Sequence, residues 1–410
     1  MTRQLTLGLS LSLTGKYAAM GRQGERALRL FVADANEAGG VIVRGQHYDV
    51  ALRCLDDASR IDRAREIYRE LCFGRPCDLI FGPYSSGLTR VAAPLCEEAG
   101  RLMINHGGAA DQLHAHNVRM LVSVLTPASA YMTGLIDLLA TLKFWRKRLA
   151  VATAPTPFAG AISAGLERAA KTRRAWLHGV RLRMKYAGTF RPEHTPASLS
   201  RAIRRNRINA FVSAGGYDYD LAMMRVASAR ELKVPVLGCV AAGVERFRQD
   251  LGDDAEGIVG PSQWERDFNI VPELGPRPAE FSRRILAAGS TCDYPAAQIY
   301  AAGLITLAAV RACDSLDQVQ LRAAFADLRT TTFFGDFAID RETGRQIGHQ
   351  MLLVQWHEGR KQIIDPEPQA EGGNLEFPSA WRMILGAADL FRLSRREKIP
   401  DETNPPPRSF

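Results

Sequence analysis

Alternating apolar and polar positions mark the first element of the chain. Between Leu5 and Leu13, leucine occupies every second position, and threonine, glycine or serine lies between. A period of two predicts a β-strand with one more apolar face. The same alternation argues against a secretion signal in the apolar stretch after Arg3, so we expect the chain to start at its first strand.

Apolar positions at helical spacing follow and end at "AGG", residues 38–40. Further strands are predicted at "YDVALRCL", "DLIF", "RLMIN" and "VRMLVSV", with intervening helices that include one opened by Ser59 with Asp62 as a capping box. From Thr126 the same alternation of helices and strands restarts and runs to "VPVLGCV". This order predicts an α/β fold with two doubly wound, parallel-sheet lobes joined by right-handed crossovers.

Length, composition and charge narrow the functional classes. A chain of 410 residues favours two domains, and 46% hydrophobic with 24% charged residues is typical of a soluble globular protein. The net charge of +9 is spread as arginines among acids on predicted helix faces, as in "RAREIYRE". That pattern favours a solvated surface, so we expect no nucleic-acid partner. We find no apolar run near the roughly 20 residues of a transmembrane helix and expect no membrane insertion.

The seven cysteines predict core packing. They are odd in number and lie mostly inside apolar runs, which does not favour a disulfide framework. Cys72 and Cys77 lack a second Cys or His pair at zinc spacing, so we expect no metal site and no cofactor. The tail "DETNPPPRSF" is expected to be disordered.

Two loops rich in small residues predict a ligand site. In open α/β sheets ligands bind beyond the carboxyl ends of the strands, where "FGPYSSGLT" and "INHGGAAD" lie. Ser85 and Ser86 begin a predicted helix, whose N-terminus favours an anion, although helix capping is the alternative role. Small residues let a ligand approach the main chain. His106 is either a buried hydrogen-bonding histidine or a donor to a ligand oxygen.

Several segments together resemble one family. They are "LTLGLSLSLTGKYAAMGRQGERALRLFVADANEAGG", "LDDASRIDRAREIYRELC", "DLIFGPYSSGLTRVAAPLCEEAGRLMI", "AEGIVG", "YPAAQIYAAGLITLAAV" and "FFGDFAIDRETGRQ". In order and spacing the chain resembles the type I periplasmic solute-binding proteins of ABC importers, the leucine/isoleucine/valine-binding group. Their cysteine pair in the first lobe has no counterpart here.

The resemblance implies a two-lobed clamp with three hinge crossovers, near Val122 to Thr126, Gly260 to Gln263 and Thr330 to Phe334. Lobe 1 then comprises residues 1–123 and 262–331, lobe 2 comprises 124–261 and 332–366, and 367–410 form a C-terminal extension. It implies a monomer that is not an enzyme and binds a small molecule in the cleft. ABC permease subunits are its implied partners and the periplasm its implied location.

The resemblance also assigns the site. The serine at Ser85 or Ser86 and the residues Gly107, Gly108 and Ala109 would hold a ligand carboxylate and amino group. Aromatic cover would come from Tyr17, Phe158 and Tyr217. Val240 or Ala241 stands where amino-acid-binding members carry an ammonium-pairing glutamate, which makes an α-amino acid ligand doubtful. The acids that could substitute for that glutamate are Asp111, Asp218, Asp220 and Glu245.

Enzymatic classes fit less well. "GPYSSG" lacks the G-x-S-x-G spacing of a nucleophile elbow, and "SLSLTGKY" lacks the leading glycine and the Ser/Thr of a P-loop. Two functions remain: a solute-binding subunit of an importer, and a cytoplasmic ligand sensor on the same scaffold that regulates a partner protein.

Overall fold

The computed structural model describes residues 3–114, 118–141, 148–172, 185–190, 196–228 and 234–366. The first sheet contains β1 (Arg3–Leu11), β2 (Val41–Val43), β3 (Gln46–Asp56), β4 (Leu79–Phe81), β5 (Met103–Asn105) and β6 (Leu121–Ser123). The helices between them are α1 (Ala18–Glu37), α2 (Ile61–Arg69) and α3 (Ser86–Glu98). The strand order is β2–β3–β1–β4–β5–β6, in which β2 is antiparallel to β3 and the other pairs are parallel.

The first strand is buried on both faces, because helices cover both sides of a parallel sheet. Its leucines lie in the first core. On the opposite face, Gly8 leaves no room for a side chain, since a Cβ would lie 2.5 Å from Cys77 Sγ. The hydroxyl of Ser10 donates to Asp57 Oδ2 at 2.7 Å. The small residues between the leucines therefore serve close packing and buried hydrogen bonding.

The second sheet follows with α4 (Thr133–Thr141), β7 (Arg148–Thr153), α5 (Pro157–Thr172), β8 (Lys185–Phe190), α6 (Pro196–Asn206), β9 (Ala210–Ala214), α7 (Tyr217–Ser228), β10 (Val236–Cys239), α8 (Arg246–Leu251) and β11 (Val259–Ser262). The chain then returns to the first core with α9 (Pro278–Ala287), α10 (Tyr294–Cys313) and α11 (Gln318–Asp327). After a short hairpin, β12 (Thr330–Thr332) and β13 (Gly335–Phe337), it ends in β14 (Leu352–His357) and β15 (Arg360–Asp365). The second sheet has the order β15–β14–β11–β10–β9–β7–β8, with β14 antiparallel to both neighbours. The predicted class, two mainly parallel α/β lobes, is confirmed.

The chain changes sheet between Ser123 and β7, and again after Ser262, since Trp264 already packs in the first core. The third change was predicted near Thr330 to Phe334. However, Phe337 and Ile339 still lie in the first core, and the chain enters the second sheet at Leu352. The third crossover therefore comes later than predicted, because the phenylalanines of "FFGDF" pack in the core of the first lobe.

One hydrogen-bond network joins the three crossovers. Gln263 accepts from Thr126 N at 3.1 Å and donates to the Thr126 carbonyl at 3.1 Å. It also donates to the Tyr131 hydroxyl at 3.0 Å. Thr126 Oγ1 lies 2.6 Å from Nδ1 of His349, whose Nε2 donates to the Phe334 carbonyl at 3.0 Å. The three crossing segments are thus linked at a single buried point.

Helix α10 corrects one expectation from the sequence. It is long and apolar enough to cross a membrane, with a mean hydropathy of 1.4, but 72% of that stretch is buried inside the protein. It packs on α1, where Gly303 lies against the ring of Phe31. The chain therefore does contain an apolar run of about this length, and it forms the central helix of the first core.

The seven cysteines are free thiols, four of them buried, in agreement with the predicted core role. Cys72 and Cys96 are neighbours, with their Sγ atoms 3.6 Å apart. The predicted cap at Ser59 is wrong: α2 is preceded by Arg60 and has no side-chain cap. The Ser59 hydroxyl instead donates to the Thr14 carbonyl at 2.9 Å and accepts from Tyr17 N at 3.1 Å. The predicted tail at the end of the chain lies outside the described residues.

Candidate functional site

The two predicted serines have different roles in the structure. Ser85 is the N-cap of α3, and its hydroxyl accepts from Leu88 N at 3.4 Å. Its backbone has φ of +105°, and its N–H donates to the Gly107 carbonyl at 3.1 Å. The hydroxyl oxygen of Ser86 accepts from Ala109 N at 3.1 Å and from Ala110 N at 3.0 Å. Ser85 therefore caps the helix, and Ser86 holds the neighbouring loop.

The two glycines of that loop are required by loop packing. A Cβ on Gly107 would lie 2.6 Å from the Pro83 oxygen and from Tyr84 Cα. A Cβ on Gly108 would lie 2.5 Å from Thr89 Oγ1. Both contacts are shorter than real Cβ atoms make. Much of the small-residue character of the two loops thus follows from their contact with each other.

The lobes meet at the end of this loop. The Ala109 carbonyl accepts from Ala128 N of the second lobe at 2.7 Å. The Asp111 carboxylate accepts from Ser129 N at 3.0 Å and from Ser129 Oγ at 2.6 Å. Asp111 is therefore committed to an interlobe contact.

Aromatic side chains surround the loops. In the first lobe the rings of Tyr17 and Tyr84 are 6.1 Å apart, and the Tyr84 hydroxyl lies 3.5 Å from that of Tyr294. In the second lobe Tyr131 and Phe158 pack edge to face at 5.5 Å. Burial raises the pKa of Tyr84, and the nearby hydroxyls of Tyr131 and Tyr17 add to the rise. Burial likewise raises the pKa of Tyr131 and of Tyr294, so these three phenols are neutral at physiological pH. We call these five residues the aromatic cluster.

Phe158 and Tyr217, both predicted as cover, are placed differently. Phe158 packs against hydrophobic clusters of both lobes. Tyr217 instead donates its hydroxyl to Asp250 Oδ2 at 2.8 Å, and the Arg246 guanidinium lies 4.8 Å from its ring centre. Burial raises the pKa of Tyr217, and the bond to Asp250 adds to the rise. The contacts described for Tyr217 are within the second lobe, and none of them joins it to the aromatic cluster.

His106 is buried and neutral. Its side chain is 1% exposed, and neither ring nitrogen has a hydrogen-bond partner among the described residues. The ring centre lies 6.4 Å from that of Phe81. Burial lowers the pKa of His106 to about 4, so the ring carries no charge near neutral pH.

The turn that contains Ala241 is hydrogen-bonded to the buried carboxylate of Asp220. Ala241 N donates to Asp220 Oδ2 at 3.0 Å, and the Ser213 hydroxyl donates to Asp220 Oδ1 at 2.7 Å. Burial raises the pKa of Asp220 to about 7, against these two bonds. Asp218, by contrast, is exposed on the first turn of α7. Neither acid is in described contact with the serine loops.

A group of charges that is buried except for Glu245 lies where the lobes meet. Nζ of Lys361 is 2.8 Å from Glu265 Oε1, 3.2 Å from Asp293 Oδ1 and 3.5 Å from Glu245 Oε1. It also donates to the Gly243 carbonyl at 3.0 Å. Burial alone would lower the pKa of Lys361, but the three carboxylates outweigh it and raise the pKa. Burial raises the pKa of Glu265 to about 7 despite the attraction of Lys361.

A cavity of about 390 Å³ lies elsewhere, between α1, α9 and α10. Its charged lining includes Asp34, which is bonded to both Arg284 and Tyr300. None of the predicted site residues lines it.

The sequence profile of the family described as periplasmic binding protein matches residues 4–361. The chain belongs to the periplasmic binding protein family. The match extends over both sheets and ends at Lys361, within β15. The predicted family is thus confirmed, together with its fold.

Solved structures of similar fold include proteins of ABC transporters. A putative branched-chain amino acid ABC transporter protein from Rhodospirillum rubrum is 21% identical, with 88% of this chain and 100% of that chain covered and a TM-score of 0.66. A leucine-binding protein from Thermotoga maritima is 16% identical, with 88% and 97% covered and a TM-score of 0.72. An ABC transporter solute-binding protein from R. palustris, solved with benzoate, is 19% identical, with 88% and 95% covered and a TM-score of 0.69.

In this periplasmic binding protein, three tyrosines and the charged group lie at the site although the sequence patterns did not predict them. Tyr84 lies inside "FGPYSSGLT", and Tyr294 opens "YPAAQIYAAG". Tyr84 lies two residues before α3 and Tyr294 is the first residue of α10, and these positions at helix starts were the available signal. Tyr131 and Lys361 carried no comparable signal, because their partners are distant in sequence.

Proposed function

We propose that this chain is the solute-binding protein of an ABC importer and captures a small organic carboxylate or amide between its lobes. The observation that carries the proposal is the meeting of the Ser86 loop with the aromatic cluster, which draws on both lobes. The Ser86 oxygen accepts two N–H groups, so its own proton is available to a ligand oxygen. Aromatic rings beside polar loops suit a ligand with an apolar body and one oxygen-rich end.

The acids near the cleft disfavour a zwitterionic amino acid. Asp111 is bonded to Ser129, Asp220 to Ser213 and Ala241, and Glu245 to Lys361. Burying an unpaired ammonium costs several kcal/mol. A carboxylic acid or amide is therefore expected to bind better than the amino acid with the same side chain. The benzoate held by the R. palustris protein belongs to this class, and leucine represents the competing class.

Titration calorimetry tests the ligand class directly. The panel comprises benzoate, 3-phenylpropanoate and 4-methylpentanoate against phenylalanine and leucine, the amino-acid counterparts of the last two acids. We expect the acids to bind at least tenfold more tightly than those counterparts. Leucine binding equal to or tighter than that of 4-methylpentanoate would refute the ligand class and leave the importer role standing. Mass spectrometry of small molecules that co-purify with the protein would identify the natural ligand.

Closure of the lobes is tested by small-angle scattering on the full chain. A ligand confirmed by calorimetry should lower the radius of gyration, because it bridges loops from both lobes. An unchanged radius would contradict the clamp. Delivery to permease subunits in the periplasm is tested by whether the chain stimulates ATP hydrolysis by the reconstituted importer. A chain that instead stays in the cytoplasm and binds a regulator would support the sensor function.

A further inference from the structure

Lys361 is bound on four sides by oxygen atoms from different parts of the chain. Glu265 follows β11, Asp293 precedes α10, and Glu245 and Gly243 belong to the turn before α8. Their oxygens lie 2.8 to 3.5 Å from Nζ. An ammonium has three protons and no acceptor capacity, so this shell uses all of its donors.

The group spans both lobes next to the aromatic cluster. Lys361 lies on β15 of the second sheet, whereas Asp293 is the N-cap of α10 in the first core. The Asp293 carboxylate also accepts from Glu245 N at 3.2 and 3.3 Å. The next residue, Tyr294, places its hydroxyl 3.5 Å from that of Tyr84. The charged group therefore adjoins the wall of the proposed cleft.

The charges of the group are not balanced by the lysine alone. With all three carboxyl groups ionised, they surround one ammonium and give a formal charge of −2. Burial raises the pKa of Glu265 to about 7, and the negative charge of Asp293 adds to the rise. Lys361 and Asp293 are each only 2% exposed, so water contributes little to their stabilisation. Without Lys361, the buried carboxylates of Asp293 and Glu265, with the 42% exposed Glu245 at their edge, would form an acidic pocket of the kind that pairs with an organic ammonium.

We propose that Lys361 is a specificity-determining residue: it fills, from within the protein, the place that a ligand ammonium would occupy and so selects ligands without a cationic amine. This inference rests on the proposed solute-binding function. It identifies the residue that makes the protein bind a carboxylic acid more tightly than the amino acid with the same side chain.

The test replaces Lys361 and supplies the missing ammonium in solution. Lys361→Ala leaves a space lined by the three carboxylates, so ethylammonium chloride should raise its melting temperature more than potassium chloride at equal ionic strength. The wild type should respond equally to the two salts. Lys361→Met is the matched control, because its uncharged side chain still fills the space, and ethylammonium should not stabilise it selectively.

Ligand selectivity provides the second measurement. The wild type should prefer 3-phenylpropanoate to phenylalanine and 4-methylpentanoate to leucine, and Lys361→Ala should reduce both preferences at least tenfold. If Lys361→Ala does not fold, Lys361→Ala/Glu265→Gln carries the same test, because two carboxylates without the lysine keep the formal charge at −2. Unchanged preferences in the variant would overturn the inference, whether or not ethylammonium has a selective effect.

The two proposals fail in different ways. If the wild type binds none of the acids or amino acids, the proposed ligand class fails, while the ethylammonium measurement still reports on Lys361. If the wild type binds the acids selectively and the variant keeps the same selectivity, only the role of Lys361 is refuted.

Discussion

Replacing Ser86 by alanine should weaken the first-lobe loop more than replacing its neighbour Ser85. The change removes the acceptor of two backbone N–H groups, those of Ala109 and Ala110, which are 6% and 4% exposed. A typical intramolecular hydrogen bond contributes about 0.5–1.5 kcal/mol, and a buried donor left unpaired costs about 1–3 kcal/mol. Because Ser86 itself is partly exposed, water can recover part of the loss. We expect Ser86→Ala to lower the free energy of unfolding by about 2 kcal/mol.

Ser85→Ala is the matched control. The Ser85 cap bond is long, at 3.4 Å, so its loss should cost about 1 kcal/mol or less. Urea unfolding followed by circular dichroism measures both variants, and calorimetry with the best ligand of the acid panel measures their affinity. Ser86→Ala should also weaken binding, because the hydroxyl both fixes the loop and faces the proposed ligand. Equal losses of stability in the two variants, or unchanged affinity in Ser86→Ala, would refute this reasoning.

Three further predictions concern the crossovers and the loop. Gln263→Leu breaks three buried hydrogen bonds and should lower the free energy of unfolding by about 3 kcal/mol, whereas Gln320→Leu on the exposed face of α11 should change it little in the same urea titration. Burial lowers the pKa of His349 from 6.5 to about 4, so the unfolded chain binds the proton more readily and the free energy of unfolding falls as pH falls through that range. The free energy of unfolding of His349→Gln should fall less over the same range than that of the wild type. Parallel pH profiles of the two proteins would contradict this. Gly108→Ala should lower the melting temperature, because its Cβ would lie 2.5 Å from a neighbouring side chain. The control is Gly87→Ala, whose Cβ would meet no atom within 4 Å and which should leave the melting temperature unchanged. Similar melting temperatures for the two variants would count against the loop contact.

The order of elements could be predicted because each lobe repeats a simple pattern. The leucine alternation of β1 and the helical spacing of α1 are local signals, and the structure confirms both elements. The third crossover could not be placed, since an apolar stretch such as "FFGDF" fits the core of either lobe. Only the tertiary contacts of Phe337 decide between them.

The candidate site was predictable where its residues share a loop and unpredictable where they do not. Ser86 and the residues that it holds, Ala109 and Ala110, come from the two stretches that stand out in the sequence. Lys361 and Asp293 are brought together by the contact of two lobes, and no local pattern links a lysine on an edge strand to a helix N-cap. The hydroxyl of Tyr217 donates to Asp250 because α8 packs beside α7, a tertiary contact that the local sequence does not predict.

The position of α10 in the chain also determines when the first core can close during protein synthesis. The sheet that α10 covers is complete in sequence by Ser123, but the helix itself ends only at Cys313. Because the chain is synthesised from its N-terminus, the face of the first sheet that α10 covers stays uncovered until most of the protein has been translated. During that interval the nascent chain exposes apolar surface, and α10 itself emerges as a segment with the hydropathy of a membrane span. Closure of the first core therefore requires α10 to pack on α1 after most of the chain has been made.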